Sequence, residues 1–204
     1  MMKTVTIFLL MVTLVLPVGV GADEQEIKML LAKPFVKAQF TKIRKLKILS
    51  RPFNTSGKIL FLPENGLVWQ TLKPIEDTLL IGFDGVSQIK KDNPVPVKIK
   101  NPVVKSASMV FITVLSLDLE QIKKIFVLKE AKTKTSKAVK IYRLVPKDDT
   151  LKKAIKFIEL SGKERIDKIY IEELSGDSTT VMLENEVFDK SALQPAELKL
   201  FELM

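Results

Sequence analysis

The sequence predicts a single mainly β domain, a curved antiparallel sheet or open barrel interrupted by one helical insert. Three observations carry this. Short β-prone runs recur along most of the chain, turn-forming residues separate them at spacings too short for parallel crossovers, and one strongly apolar segment followed by a capping pattern breaks the series midway.

The first 22 residues stand apart from the fold. Lys3 supplies a positive start, Val5 to Leu16 is apolar apart from Thr6 and Thr13, and Val20-Gly21-Ala22 places small residues before Asp23. This is the pattern of an export signal cleaved after Ala22, too short in its apolar part to span a bilayer comfortably. Residues 23–204 then form the one domain, opening on a short helix that Asp23 caps with Glu26 three residues on. Ile27, Leu30 and Leu31 give that helix an apolar stripe, and Pro34 stops it.

From Val36 the period changes to two, with Val36, Ala38 and Phe40 alternating against Lys37, Gln39 and Thr41, the mark of a strand with one buried face. Strand patterns follow at Gly57 to Leu62, Leu67 to Leu72, Thr78 to Phe83 and Val86 to Lys91, divided by Pro63-Glu64-Asn65-Gly66, Lys73-Pro74 and Asp84-Gly85. Asp92 to Pro102 holds three prolines, which places it on a sheet edge or outside the sheet as a hinge. Met109 to Leu117 fits the first of two short helices meeting near Ser116 and fits a core strand equally well, because Val110, Ile112, Thr113 and Val114 are β-branched. Asp118-Leu119-Glu120-Gln121 has the pattern of a helix start, with the helix running to about Phe126. After a basic linker over Lys129 to Lys137, strands return at Ala138 to Leu144, Lys153 to Glu159, Ile166 to Glu173 and Thr179 to Glu184, with Gly162 and Gly176 in the turns.

Composition closes much of enzyme chemistry. With neither cysteine nor histidine there is no disulfide, thiolate nucleophile, Ser-His triad or imidazole ligand. The eight glycines form no nucleotide-binding loop. Ser87-Gln88-Ile89-Lys90 matches the serine and lysine spacing of penicillin-binding enzymes without the companion motifs. Asp148-Asp149 and Glu172-Glu173 are acid pairs, but solvated turn or outer-face charges describe them better than a glycosidase pair facing a cleft. The net charge of +9 comes from lysines spread along the chain. Their densest groups, Lys42 to Lys47 and Lys129 to Lys140, read as outer sheet face or loop, which speaks against nucleic acid and leaves room for a modest attraction to anionic lipid headgroups or an acidic partner. No cofactor and no metal is implied.

Certain motifs point further. Val36-x-Ala38-x-Phe40-x-Lys42, Ser56-Gly57-Lys58-Ile59-Leu60-Phe61, Gly66-Leu67-Val68-Trp69-Gln70-Thr71-x-x-Pro74 and Asp84-Gly85 resemble the N-terminal half of the periplasmic outer-membrane lipoprotein carriers, the LolA family. Ile166 to Glu173 followed by Ser175-Gly176-Asp177-Ser178-Thr179-Thr180 is similar to that family's paired C-terminal strands. The chain departs from the family in carrying Lys42 where a glutamine is usual and Gly-Asp where Gly-Asn is usual. Phe61-Leu62-Pro63-Glu64-Asn65 also lacks the arginine that latches the lid in well-studied carriers.

The resemblance implies an open, unclosed antiparallel β-barrel with a short N-terminal helix and a helical lid enclosing an apolar cavity, and it favours helix for Met109 to Phe126. It implies a non-enzymatic periplasmic carrier that takes lipoprotein or other lipid cargo from an inner-membrane exporter to an outer-membrane acceptor, as a monomer touching membrane surfaces transiently. A periplasmic sensor or adaptor using the same concavity for a lipidic signal or a partner protein is the alternative. The acyl-binding residues expected by strand alternation are Phe40, Ile59, Phe61, Leu67, Trp69, Ile81 and Phe83, with Val110, Phe111, Val114 and Leu115 from the lid.

Overall fold

Hydrophobic alternation and turn chemistry account for most of the architecture. The computed structural model describes Ile27 and residues 35–100, 102–116, 118–131 and 139–204. The export signal, its cleavage site and the N-terminal helix apart from Ile27 lie outside the described residues. Ile27 is helical and fully buried in the main core.

The N-terminal half is an antiparallel meander of β1 (Lys37–Lys45), β2 (Phe53–Leu62), β3 (Gly66–Lys73), β4 (Asp77–Gly82), β5 (Gly85–Lys90) and β6 (Asn93–Ile99). Gly66 opens β3 at φ +124, where a Cβ would stand 2.3 Å from the Ile81 carbonyl oxygen, so both the turn and the close β3–β4 approach require glycine. The proline-rich stretch runs as the edge strand β6, hydrogen-bonded on one side only, as its prolines demand.

Two helices follow, α1 (Pro102–Leu115) and α2 (Leu119–Ile125). The segment that periodicity leaves undecided is helical through Leu115. Pro102 starts α1 at a position where a missing N–H costs nothing. Asp118 caps α2, its Oδ1 accepting from the backbone N–H of Glu120 at 3.0 Å and of Gln121 at 3.2 Å.

β7 (Phe126–Ala131) comes directly after α2 and occupies the first residues of the expected linker, which is a correction: Lys129 lies in a strand paired with Arg143. The rest of that linker, 132–137, is outside the described residues. The chain continues through β8 (Lys140–Pro146), a single helical turn α3 (Asp149–Lys152), β9 (Ile155–Gly162), β10 (Lys168–Glu173) and β11 (Ser178–Val187). A short 3-10 turn (Lys190–Ala192) and the helix α4 (Pro195–Phe201) close it.

All eleven strands form one antiparallel sheet in the order β6-β5-β4-β3-β2-β1-β11-β10-β9-β8-β7. The sheet is not closed: β6 and β7 are its two edges, and the α1–α2 segment connects them. One face, here the inner face, carries the main core and is covered by α1, which packs on β4, β5 and α2. The outer face has a smaller core of Val36, Leu60, Leu62, Val68 and Leu80 beneath Leu193 and Phe201. The middle of β2 and β3 is therefore buried on both sides, which explains the unbroken apolar runs Ile59-Leu60-Phe61-Leu62 and Leu67-Val68-Trp69.

Candidate functional site

Strand register decides which side chains meet. Ala38 on β1 faces Ile59 on β2, Ile59 faces Trp69 on β3, and Trp69 faces Leu79 on β4. The parallel row beside it runs from Phe61 through Leu67 and Ile81 to Val86. These two rows form an apolar stripe on the inner face, and Phe40 continues it along β1. Phe40, Ile59, Phe61, Leu67, Trp69 and Ile81 are all buried in the main core.

α1 contributes Val110, Val114 and Leu115, also buried there, and Phe111, partly buried and packed on the same cluster. The aromatic residues form a contact chain. The Phe40 and Trp69 ring centroids are 4.3 Å apart, in close contact, and Phe111 meets Trp69 edge-on at 5.4 Å, within the range of favourable ring pairs. Gly57 lies between Phe40 and Thr71 in the cross-strand row, so no side chain separates the two rings. A Cβ there would also stand 1.9 Å from the Gln70 carbonyl oxygen.

Phe83 does not join this group. β4 ends at Gly82, which pairs with Gly85, and Phe83-Asp84 is the two-residue turn between them. Alternation cannot be extended through such a turn, and Phe83 is 58% exposed. Leu79 and Val86 complete the stripe in its place. The C-terminal half lines the same face with Val181, Leu183, Ile169, Leu160 and Tyr142, buried residues of the same core that alternation in β8 to β11 could have supplied.

In this conformation α1 fills the inner face. The gap left beneath Val114, Leu115 and Ile169 is about 10 Å³, no larger than one water. A larger depression of about 500 Å³ lies elsewhere, lined by outer-face residues of β1, β2 and β11 such as Lys37, Gln39, Lys58 and Asn185. It is mostly polar. Beside it, Glu197 of α4 is buried and pairs with Lys37 at 2.8 Å and Lys58 at 3.0 Å, while accepting from the Gln194 backbone N–H at 3.0 Å.

The inner face changes character along β1. Lys42 shares the parity of Phe40, so it projects onto this face between Thr55 of β2 and Val181 of β11, with its Nζ 5.7 Å from the Trp69 ring centroid. The expectation that Lys42 to Lys47 forms an outer face or loop fails here, and the signal was available: a residue two places after a buried phenylalanine in one strand faces the same way. Burial lowers the Lys42 ammonium below the ordinary lysine range, Arg44 adds to the lowering, and Asp77 opposes it. Asp77 accepts from Gln88 Nε2 at 2.8 Å. Arg44 is engaged by Glu173 at 3.0 Å.

The other chemical candidates are dispersed. Ser87 and Lys90 point to opposite faces of β5, since Leu80 faces Ser87 and Asp77 faces Lys90 in an unbroken register. They cannot act together. Asp148 caps α3 through the backbone N–H groups of Thr150 and Leu151, and Asp149 is exposed and paired with Lys152 at 2.9 Å. Glu172 accepts from the Tyr170 hydroxyl, whereas Glu173 binds Arg44.

No protein-family model and no curated protein matches the chain. Among solved structures it is similar to a LolA superfamily protein from Nitrosomonas europaea, at 8% identity over 83% of this chain and 96% of that one, with a TM-score of 0.45. A putative outer membrane lipoprotein-sorting protein domain from Vibrio parahaemolyticus aligns at 11% identity over 82% and 91% of the two chains, with a TM-score of 0.43. A DUF1329 family protein from Desulfovibrio piger aligns at 8% identity over 89% and 98%, with a TM-score of 0.47.

Proposed function

We propose that this protein is an extracytoplasmic carrier that holds the acyl chains of a lipoprotein or similar lipid on the inner face of its sheet and passes them from an inner-membrane source to an outer-membrane acceptor. The observation that carries this reading is the apolar stripe under α1. Among the helical residues packed on that face, those of α1 set apolar side chains where an acyl chain would lie, with Phe111 against Trp69. The sequence motifs shared with the lipoprotein carriers and the export signal support the same reading.

The energetics suit exchange. Withdrawing Val110, Phe111, Ile112, Val114 and Leu115 from the core would cost about 1.5–3 kcal/mol each, or roughly 7.5–15 kcal/mol together. A chain of about 14 methylenes gains about 0.8 kcal/mol per methylene, or roughly 11 kcal/mol, by taking their place. The helix and the acyl chain are therefore comparable occupants, and cargo can enter and leave without covalent chemistry. The protein would act as a monomer, with contact to membrane surfaces only during loading and release.

The test is native mass spectrometry of the protein isolated without detergent, beside Trp69→Asp checked for folding by circular dichroism. Acylated species bound to the wild type and absent from the folded variant are expected. A clean unliganded mass together with no uptake of a fluorescent acyl probe would refute the carrier. Capture instead in a stable stoichiometric protein complex would favour the adaptor.

A further inference from the structure

Lys42 is a cation where the apolar part of the inner face ends, with Arg44 and Asp77 near it. Its neighbours on the inner face are Phe40 along the strand, the fully buried Val181 on one side, Thr55 on the other, and the Trp69 ring. Among the described residues no carboxylate pairs with it. The nearby acids are already engaged: Arg44 holds Glu173 at 3.0 Å and Asp177 at 3.9 Å, and Gln88 donates to Asp77 at 2.8 Å.

Directly across from Lys42, the Thr55 hydroxyl oxygen is buried without a hydrogen-bond partner. Buried polar groups are nearly always answered, because leaving one unanswered forfeits its hydration for nothing. Here an ammonium and a hydroxyl at facing register positions both lack an acceptor, and they do so where the apolar stripe ends. Lysine stems commonly lie along apolar surface and send the ammonium to water. That habit accounts for Lys42 resting on Trp69 but leaves the Thr55 hydroxyl unexplained.

We propose that Lys42 and Thr55 form the headgroup end of the lipid site, and that the cargo is an anionic amphiphile whose carboxylate or phosphate oxygens lie between these two side chains while its acyl chain runs past Trp69 onto the stripe that α1 covers. This rests on the carrier reading and adds the chemical class of the ligand. An anion at this place supplies the acceptor that both groups lack. It also restores the ammonium that burial disfavours. Arg44, one step further along the strand, adds positive potential without giving up its own carboxylates.

Trp69 is the only tryptophan in the chain, so its emission reports on this place directly. The delipidated protein is titrated with palmitic acid, hexadecyl phosphate, hexadecanol and inorganic phosphate, with Lys42→Gln and Lys42→Arg in parallel. The acid and the phosphate ester are expected to bind about tenfold or more tightly than the alcohol, the usual worth of a charge-assisted hydrogen bond. Lys42→Gln is expected to lose that preference while keeping the affinity for hexadecanol, which also shows that it is folded, and Lys42→Arg to retain the preference. Equal affinity of the wild type for acid and alcohol would overturn the headgroup site and leave the apolar carrier standing. Inorganic phosphate binding as tightly as hexadecyl phosphate would overturn it in favour of a free-anion site. Failure of all three long-chain ligands to bind would remove both readings.

Discussion

Replacing Glu197 with glutamine tests how the C-terminal helix is held to the outer face. The carboxylate is only 6% exposed and serves Lys37, Lys58 and the Gln194 N–H, while the two lysine side chains remain 28% and 31% exposed. Burial by itself would raise its pKa, but the hydrogen bonds from Lys37, Gln194 and Lys58 outweigh that and hold it below the usual glutamate range. Each charge-assisted bond is worth about 1.5–3 kcal/mol in a dry site, and the partial exposure of both lysines reduces the combined loss to about 1–2 kcal/mol at neutral pH. A depressed folded-state pKa means that this stability is fully present above the unfolded value of about 4.3 and disappears as pH falls through the lower folded value. Urea unfolding of wild type and Glu197→Gln, followed by circular dichroism from neutral pH downward, should show a gap that closes in acid. A gap of constant size across that range, or none at neutral pH, would refute the reasoning.

Three further perturbations probe the sheet and its cover. Phe111→Ala removes the edge contact with Trp69 from the half-buried side of α1, and should cost about 1–2 kcal/mol in chemical denaturation while speeding uptake of an acyl probe in stopped flow. Gly57→Ala places a Cβ 1.9 Å from the Gln70 carbonyl oxygen and should lower stability by about 2–4 kcal/mol, with a disturbed Trp69 emission spectrum. Phe83→Ser alters an exposed turn residue and should change neither acyl affinity nor, beyond about 0.5 kcal/mol, the unfolding free energy.

Strands that pair with near neighbours were readable because alternation and turn residues are local signals. Phe40, Leu67 and Trp69 share one buried face, as alternation within each strand expects. Phe83 was misplaced by the same rule, since parity stops meaning anything once a two-residue turn intervenes. The segment from Met109 could not be resolved from its own residues. What decides it lies at its ends, in Pro102 and the Asp118 cap, and in the sheet that receives it. The C-terminal helix left a trace in Gln194-Pro195-Ala196-Glu197, a proline at the first helical position with an acid two residues later, but seven residues are too few for periodicity to show. Its partner surface was visible as the unbroken apolar run in β2, which one buried face cannot explain. Lys42 was hidden by its company: in a cluster of basic residues each lysine looks alike, and only the strand register separates the one facing inward.

A closed barrel has its radius set by strand number and stagger, so its interior admits one size of guest. Here the ladder stops at β6 and β7, and no hydrogen bond joins them. Spreading or drawing in these edges changes the room inside without breaking a single rung. The α1–α2 segment is tied to both edges, so the gape of the sheet and the position of its cover are coupled. On the proposed carrier reading, a bulkier guest that pushed the edges apart would pull on the same stretch of chain that has to lift to admit it.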